Sequence, residues 1–404
     1  MEMKPGYKQT EVGVIPDDWE IHKSSDLCER IMVGIVIRPS QYYTRDGVPA
    51  LRSANIREDG INDIDLVFIS EESNQLLAKS QVREGDVLTV RTGYPGTSAV
   101  AEAKHSGSNC IDILITRPSS RILPQWLCLW INSPFGKEQV LRNQGGLAQK
   151  HFNVSDMRNL VVALPQPKEQ REISRAMCDV DVLINSLEEL IEKKRNIKQA
   201  AMQELLTGKR RLPGFEGEWE VKRLGEICEI GIGRTPSRLD ERMWGQGHPW
   251  LSIADLQRKV VSESKEQVTE TAAALMTIVS KGTLLMSFKL SIGRLCFAGC
   301  DLFTNEAICS FNRLTANADY LYYALGRTDF SLYGKQAVKG YTLNKESLNL
   351  VEVKLPSQDE QIAIATVLSD MDTELAALKA SRGKARALKQ AMMQELLTGR
   401  IRLR

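Results

Sequence analysis

Apolar residues recur at every third or fourth position in two long stretches of the chain, and this spacing predicts two amphipathic helices. The first stripe runs from Ile173 to Leu205, and the second runs from Ile364 to Leu396. A helix of about 40 residues is roughly 60 Å long, and its single apolar face needs a partner with a matching stripe. We therefore predict that the two helices pair as an antiparallel coiled coil. In the alternative, each stripe only docks on its own globular domain.

The rest of the chain contains short apolar runs that are typical of mixed α/β structure. We predict strands at VLTV (87–90), LLMS (284–287), LVVALP (160–165) and VEVKLP (351–356), and short helices at WLCLWI (126–131) and YLYYAL (320–325). Prolines precede both long stripes, and Gly208 and Gly399 follow them at the positions of helix C-terminal caps.

The two helical stretches are copies of each other. KQAAMQELLTG (198–208) and KQAMMQELLTG (389–399) agree at ten of eleven positions and lie 191 residues apart. Leu-Pro at 164–165, followed by Glu-Gln at 169–170, recurs at 355–356 and 360–361. Chance does not produce such agreement, so the chain contains an internal duplication.

Weaker matches extend the duplication into the segments that precede the helices. Trp19-Glu20 corresponds to Trp219-Glu220, and REGDVLTV (83–90) corresponds to SKGTLLMS (280–287). We predict two similar globular domains of mixed α/β (α+β) fold, related by a pseudo-two-fold repeat, that carry different specificities. The predicted globular domains are 1–163 and 213–354, and the predicted helical regions are 164–212 and 355–404.

Composition and charge do not identify the partner. The chain is 42% hydrophobic and 26% charged, which is ordinary for a folded soluble protein. A net charge of +2 does not exclude nucleic acid, because the local distribution of charge governs attraction to DNA. No apolar run approaches the roughly 18 residues that span a bilayer, and residues 1–11 lack the apolar region of a signal peptide. We expect a cytoplasmic protein that contacts no membrane.

Motifs for catalysis and metal binding are incomplete. Asn132-Ser133-Pro134-Phe135 is similar to the Asn-Pro-Pro-Phe/Tyr element of adenine methyltransferases, but its second residue is serine and no glycine signature for a methyl donor precedes it. Gly231-Ile232-Gly233 lacks the third glycine of a dinucleotide loop. The eight cysteines form no CxxC pair, so we interpret them as buried free thiols rather than a zinc site. The sequence predicts no catalytic residue and no metal.

Several motifs resemble those of type I restriction-modification specificity subunits. They are IPDDWE (15–20), LPGFEGEWEVKRLGEI (212–227), GIGRTPS (231–237), LPSQDEQ (355–361) and the doubled QELLTG. The resemblance covers essentially the whole chain, in the same order, twice. RIMVGIVIRPS (30–40) departs from the Gly-Arg-Thr-Pro element of the second half.

This resemblance implies two target-recognition domains, each reading one half of a bipartite, gapped sequence in double-stranded DNA. It also implies that the helical regions set the gap and dock two adenine methyltransferase (modification) subunits, and that restriction subunits, which translocate and cleave, join this core. No cofactor is expected in this chain, whereas S-adenosylmethionine, ATP and Mg²⁺ are expected on the partner subunits. Two other hypotheses stay open, namely a coiled-coil scaffold that reads no DNA and a stand-alone adenine methyltransferase.

Polar and basic residues in predicted loops are the candidate DNA contacts, because they can bond base edges and phosphates. In the first domain they are Arg52, Asn55, Arg91, Thr92, Tyr94, Gln149, Lys150 and His151. In the second domain they are Ser252, Asp255, Lys289, Ser291, Arg294, Lys339, Tyr341 and Thr342.

The nearly invariant helical repeat presents the same residues twice, which suggests two copies of one partner. The candidate partner contacts are Gln199, Glu204, Leu205, Gln390, Glu395 and Leu396. In the alternative, the repeat only preserves helix pairing, which explains its apolar positions but not its repeated Gln-Glu pairs.

Overall fold

The chain forms two compact units, each built from a globular domain and parts of two long helices. The computed structural model describes residues 5–142, 151–337 and 340–403, without the side chains of 335–337 and 340–342. Unit 1 comprises Met1–Glu189 and Ala380–Arg404, and unit 2 comprises Leu190–Lys379. The long helices are the central helix, Pro167–Leu205, and the C-terminal helix, Gln358–Leu396. Because the unit boundary falls inside both helices, the predicted division into four segments stays a prediction.

Domain 1, the globular part of unit 1, contains two sheets, a pair of strands near its ends and two hairpins. The main sheet has the order Ser98–Val100, Val87–Val90, Ile113–Pro118, Cys28–Val33, and the second sheet has the order Asn109–Cys110, Val48–Leu51, Val67–Ile69, Tyr43–Thr44. The strand pair is Glu20–Lys23 with Val161–Leu164, and the hairpins are Tyr7–Thr10 with Gly13–Pro16 and Ile56–Arg57 with Gly60–Ile61. Its α-helices are Ser24–Leu27, Glu71–Leu76, Pro124–Asn132, Pro134–Arg142 and Val154–Asn159, and its 3-10 helices are Pro39–Tyr42, Ser53–Asn55, Ala78–Ser80 and Ala103–His105.

Domain 2, the globular part of unit 2, repeats the order of the four main-sheet strands, with one more strand in its main sheet and one fewer in its second sheet. Its main sheet has the order Glu229–Ile232, Ile308–Asn312, Leu284–Ser287, Leu295–Ala298, Val260–Val261, and its second sheet has the order Glu266–Val268, Trp244–Leu251, Phe303–Thr304. The terminal strand pair is Glu220–Arg223 with Glu352–Leu355, and Lys335–Ala337 pairs with Gly340–Thr342. Its α-helices are Leu224–Ile227, Glu270–Ala273, Ala318–Leu325 and Lys345–Asn349, and its 3-10 helices are Glu241–Met243, Ile253–Asp255 and Phe330–Leu332.

The predicted mixed α/β fold and its duplication are confirmed. Each predicted strand and short helix is present, with bounds that differ by at most two residues. Val87–Val90 and Leu284–Ser287 are buried along their whole length, because each lies inside a main sheet that is covered on both faces. The order of four main-sheet strands therefore arises twice from sequences that agree at few positions.

The two long helices pack against each other in antiparallel orientation, as predicted. In unit 1, Val180 and Ile184 pack on Ala385, so an early part of the central helix contacts a late part of the C-terminal helix. In unit 2 the order is reversed, because Lys198 forms an ion pair with Asp372. Docking of the apolar stripes on the globular domains, the alternative to helix pairing, also occurs locally. The outer ends of both helices are buried in the domain cores.

The segment that follows each long helix completes a domain. Leu397 lies in the core of domain 1 with Trp19, and the Tyr7 hydroxyl donates to the carbonyl of Gly399 at 2.9 Å. Gly208 and Gly399 both adopt the left-handed conformation, with φ of 73° and 65°, as expected for helix C-terminal caps. The end of the chain is therefore part of domain 1, although domain 1 begins the sequence.

Candidate nucleic-acid interface

The main sheet of each domain carries a hairpin whose connecting loop has the same backbone in both copies. Hairpin loop 1 is residues 91–97 and hairpin loop 2 is residues 288–294. The Gly96 amide donates to the Val90 carbonyl at 3.0 Å, and the Gly293 amide donates to the Ser287 carbonyl at 2.9 Å. Both glycines have positive φ, 88° and 86°. One scaffold thus presents two different loop sequences, which suits two readers with different specificities.

The base of hairpin loop 1 is held by a polar network. Asp112 accepts from Arg91 Nη1 at 2.8 Å and from the Thr92 hydroxyl at 3.0 Å. The Thr92 hydroxyl also contacts His151 Nδ1 at 3.1 Å, and Arg91 Nη2 donates to Asn153 Oδ1 at 3.0 Å. The predicted residues Arg91, Thr92 and His151 therefore lie together. The network fixes the positions of the Arg91 guanidinium and the Thr92 hydroxyl. Gln149 and Lys150 lie outside the described residues.

The tip of hairpin loop 1 and much of hairpin loop 2 face solvent. Tyr94 is 84% exposed, while Ser291 and Arg294 are exposed and Lys289 is half-buried. A hydrogen bond from Thr235 is the main cause that holds the pKa of Glu306 below its ordinary value, and Lys289 also contributes. Hairpin loop 2 therefore combines two cations with one ionised carboxylate nearby.

Asn55 is buried and is not presented on the surface, contrary to the sequence prediction, whereas Asp255 is half-buried and engaged in its own turn. Asn55 is 1% exposed, accepts from the Arg52 amide at 2.9 Å and donates to the carbonyl of Ile64 at 2.8 Å. Asp255 accepts from both the amide and the hydroxyl of Ser252, at 2.8 and 2.7 Å. Both side chains satisfy the backbone of a short 3-10 turn, a role that Asn and Asp often have. The Ser252 hydroxyl is occupied by the same turn.

A groove lies beside this turn in each domain. In domain 1 it has a volume of about 400 Å³ and is lined by Arg52, Ser53, Ala54, Arg57, Asn62, Ile64, Asp65, Ile111 and Asp112. In domain 2 it is lined by Ala254, Asp255, Gln257, Arg258, Val260, Val261, Ser262, Glu263 and Lys265. Arg57 and Arg258 were missed by the sequence analysis, although each follows the matched turn within three residues. Basic residues on the rim of a groove suit contacts with phosphate.

Some predicted residues cannot be placed. Lys339 lies outside the described residues, and the side chains of Tyr341 and Thr342 are likewise not described, although their backbone belongs to the strand Gly340–Thr342.

Two of the predicted partner contacts on the helices are wrong. Leu205 and Leu396 are only 6% and 4% exposed, because each enters the core of a domain. Gln199, Glu204 and Gln390 are exposed, and Glu395 is half-buried. The repeated polar residues, not the leucines, are thus free to contact a partner.

The element that is similar to a methyltransferase motif has a structural role. Asn132 accepts from the Ser98 amide at 2.9 Å and donates to the Ser98 carbonyl at 2.8 Å. Phe135 stacks on Trp130 with ring centroids 5.8 Å apart. A new helix begins at Pro134. The amide of Asn132 is therefore fully engaged in joining the helix Pro124–Asn132 to the sheet.

The cysteines are free thiols, as predicted, and most are buried. Burial raises the pKa of Cys28, Cys128 and Cys296 to about 12, so these thiols stay protonated and unreactive. Cys178 is exposed, contrary to the prediction that all are buried. Over the described part of the chain, no cluster of three or more His, Cys, Asp or Glu side chains could hold a metal ion, and no helix is long and apolar enough to cross a membrane.

Comparison with known proteins shows the family. The profile described as "Type I restriction modification DNA specificity domain" matches residues 16–199 and again residues 216–385. The MjaX specificity subunit of Methanocaldococcus jannaschii is 24% identical over 98% of this chain and 97% of its own length. The MjaVIII type I restriction enzyme specificity subunit of the same organism is 21% identical over 96% and 94%.

Solved structures share the fold. The S subunit of a type I restriction-modification system from M. genitalium has a TM-score of 0.60 at 14% identity, over 98% of this chain and 99% of that one. A second solved structure comes from work on complex assembly and conformational transition of the type I R-M system. It has a TM-score of 0.59 at 19% identity and covers 96% of this chain and 99% of its own. The duplicated fold and the doubled profile agree: the chain belongs to the type I restriction-modification DNA specificity family, and it is a non-catalytic DNA-recognition subunit.

Proposed function

We propose that each domain reads one half of a bipartite, gapped DNA sequence, and that the paired helices set the gap between the halves. One observation carries this proposal. Four strands of the main sheet have the same order in both domains and the hairpin backbone is the same, yet the domains carry different side chains in the hairpin loops and grooves. Specificity comes from side chains that face base edges. Two such readers on one spacer engage only half-sites of matching separation.

We further propose that the chain works in a complex with two methyltransferase subunits and with restriction subunits. The exposed Gln199 and Gln390 lie at equivalent positions of the repeat, which suits two copies of one partner. Methyl transfer and cleavage would then belong to those partners, together with S-adenosylmethionine, ATP and Mg²⁺. A cytoplasmic location, where the genome is accessible, follows from this proposal.

Methylation-sensitive sequencing of a host genome that carries this gene tests the proposal directly. We expect adenine methylation at a split motif with a fixed gap. Replacing residues 1–163 with the matching domain of another family member, while keeping the C-terminal segment that completes domain 1, should change one half of the motif. Replacing residues 213–354 should change the other half. A swap that altered both halves would contradict independent reading by the two domains.

The two other hypotheses give different results in simple assays. A coiled-coil scaffold would show no sequence preference when the chain and its methyltransferase partner are mixed with duplex DNA. A stand-alone methyltransferase would transfer methyl groups from S-adenosylmethionine without any partner. The hydrogen bonds of Asn132 to the Ser98 backbone argue against a methyltransferase site at this element.

A further inference from the structure

Both hairpin loops expose a large apolar side chain at the tip. Tyr94 and Leu290 are each 84% exposed. Because Val90 corresponds to Ser287 and Gly96 to Gly293 in the shared hydrogen bonds, these two residues occupy adjacent positions of the same turn. A single exposed apolar side chain needs no explanation. An exposed apolar side chain at the tip of the same loop in two domains with different sequences calls for one.

Leu290 is also held in a conformation that residues with a Cβ rarely adopt. Its φ is 62°, in the left-handed region, where hairpin loop 1 has Gly93 with a φ of 90°. A glycine at position 290 would fit without strain, as it does at position 93. Strained residues that expose an apolar group to water are typical of sites with a function. The turn itself therefore does not require a leucine at position 290.

The surroundings of the two tips suit a nucleic acid better than an apolar protein surface. Lys289 and Arg294 flank Leu290 in hairpin loop 2, and Arg91 lies at the base of hairpin loop 1, where Asp112 fixes it at 2.8 Å. In hairpin loop 2, the apolar tip with cationic flanks is a combination that proteins insert into DNA grooves, with the cations on phosphates and the apolar residue between bases.

We propose that Tyr94 and Leu290 are wedge residues, each of which packs between adjacent base pairs at one half-site and partly unstacks them. This inference rests on the proposed function. Enzymes that modify a base take it out of the stack and must unpair it first. A step that is already opened lowers that cost for the methyltransferase subunit, and it favours sequences that deform easily, such as pyrimidine–purine steps. The two tips would thus contribute specificity without hydrogen bonds to bases.

The test uses the full chain in complex with its methyltransferase subunits, on duplexes that carry the motif found by genome sequencing. The fluorescent base 2-aminopurine is placed at successive positions, and its emission rises where the stack opens. The target adenine itself gives a signal because the methyltransferase unstacks it, and we expect one further position in each half-site, which is the wedge signal. Tyr94→Ala should remove the signal in one half-site only, and Leu290→Ala in the other, with affinity weakened on the order of tenfold. Tyr94→Phe should retain the signal, because the ring is kept.

Leu290→Gly separates loss of the wedge from loss of folding. The glycine relieves the backbone strain, so the melting temperature should stay equal or rise while the fluorescence signal is lost. Leu239→Ala, which truncates another exposed leucine of domain 2 outside hairpin loop 2 (97% exposed), is the matched control and should change neither. If Tyr94→Ala and Leu290→Ala keep full signal, the wedge proposal is wrong.

Two further outcomes are informative. If the alanine variants impair assembly with the methyltransferase subunits but leave the signal of each bound complex unchanged, the tips contact protein and the wedge proposal is overturned. If the unmodified complex shows no preference for the motif, the proposed function itself fails, and the wedge proposal fails with it. If the complex binds the motif specifically and the alanine variants keep the fluorescence signal, only the wedge proposal is refuted.

Discussion

Arg402 and Glu169 form a forked ion pair although 233 positions separate them in the chain, with Nε–Oε1 and Nη2–Oε2 distances of 2.6 and 2.9 Å. Glu169 is only 4% exposed and also accepts from Trp19 Nε1 at 3.0 Å. Hydrogen bonds with Glu169 and Asp18 raise the pKa of Arg402 above its ordinary value, so the guanidinium stays charged. The pair with Glu169 attaches Arg402 to the first turn of the central helix, and the hydrogen bonds to Asp18 attach it to the beginning of domain 1.

Removal of this guanidinium should destabilise unit 1. In Arg402→Ala the nearly buried Glu169 carboxylate loses its counterion, and we expect a loss of about 2 kcal/mol in the free energy of unfolding. Urea unfolding measures it. Arg400→Ala is the control, because Arg400 and its partner Glu395 form a more open pair at 3.4 Å and should cost no more than about 0.5 kcal/mol. Equal losses in both variants would contradict the assigned role of Arg402.

Equivalent ion pairs should fix the register of the paired helices. Lys389 pairs with Asp181 at 2.5 Å in unit 1, and Lys198 pairs with Asp372 in unit 2, which are the same two positions of the repeat. Asp181→Lys places two ammonium groups together and should lower the melting temperature. Adding Lys389→Asp restores opposite charges and should recover most of the loss, with a coupling of about 1 kcal/mol in a double-mutant cycle. A coupling near zero would show that the pair does not contribute to pairing.

Local patterns in the sequence were sufficient to predict the long helices and the buried strands of this fold. The long helices follow from the spacing of residues such as Ile173 and Ile184, and the buried strands follow from short apolar runs, because both signals lie within one element. The pairing of the helices could also be predicted, because the repeat shows that both helices carry the same apolar stripe. Gly208 and Gly399 marked the helix ends correctly for the same local reason.

The side-chain roles at the site could not be predicted in the same way. Asn55 resembles a DNA contact in sequence, but its partners include the carbonyl of Ile64, which only the folded turn brings near. Leu205 lies in the repeat and yet is buried by domain 2, a contact that no helical pattern contains. Domain 1 also requires Leu397 from the far end of the chain. Long-range contacts decide which polar groups are occupied and which apolar groups are covered.

Two matched glycines should tolerate no side chain. A Cβ on Gly34 would lie 2.3 Å from the Cys110 carbonyl oxygen, and one on Gly233 would lie 2.2 Å from the Thr304 carbonyl oxygen. Gly34→Ala and Gly233→Ala should each separate strands of one domain and lower the melting temperature by several degrees. In contrast, Gly383 lies in the C-terminal helix with nothing within 4 Å of a Cβ, so Gly383→Ala should stabilise the helix by about 1 kcal/mol. Thermal unfolding of the three variants tests this, and an unharmed Gly34→Ala protein would contradict the packing.

The thiols should differ sharply in reactivity. Alkylation requires the thiolate, and burial raises the pKa of Cys228 to about 11 and that of Cys28 to about 12. With iodoacetamide at pH 8, Cys178 should therefore react first in the folded protein. The buried thiols should react only after unfolding in urea, which serves as the positive control. Peptide mapping by mass spectrometry reads the order, and rapid labelling of Cys28 in the folded protein would be inconsistent with its burial.

Substitution of Asn55 should impair folding and leave DNA preference intact. Asn55→Ala removes the acceptor of the Arg52 amide and a donor to the Ile64 carbonyl, so we expect a loss of about 2 kcal/mol in the free energy of unfolding. The fraction that remains folded should still select the same half-site. Arg57→Ala is the matched comparison, because Arg57 is exposed beside the groove of domain 1. It should leave stability within about 0.5 kcal/mol and weaken DNA binding, with a smaller dependence on salt. If Asn55→Ala instead changed the recognised bases in a stably folded protein, this side chain would have to leave the turn when DNA binds.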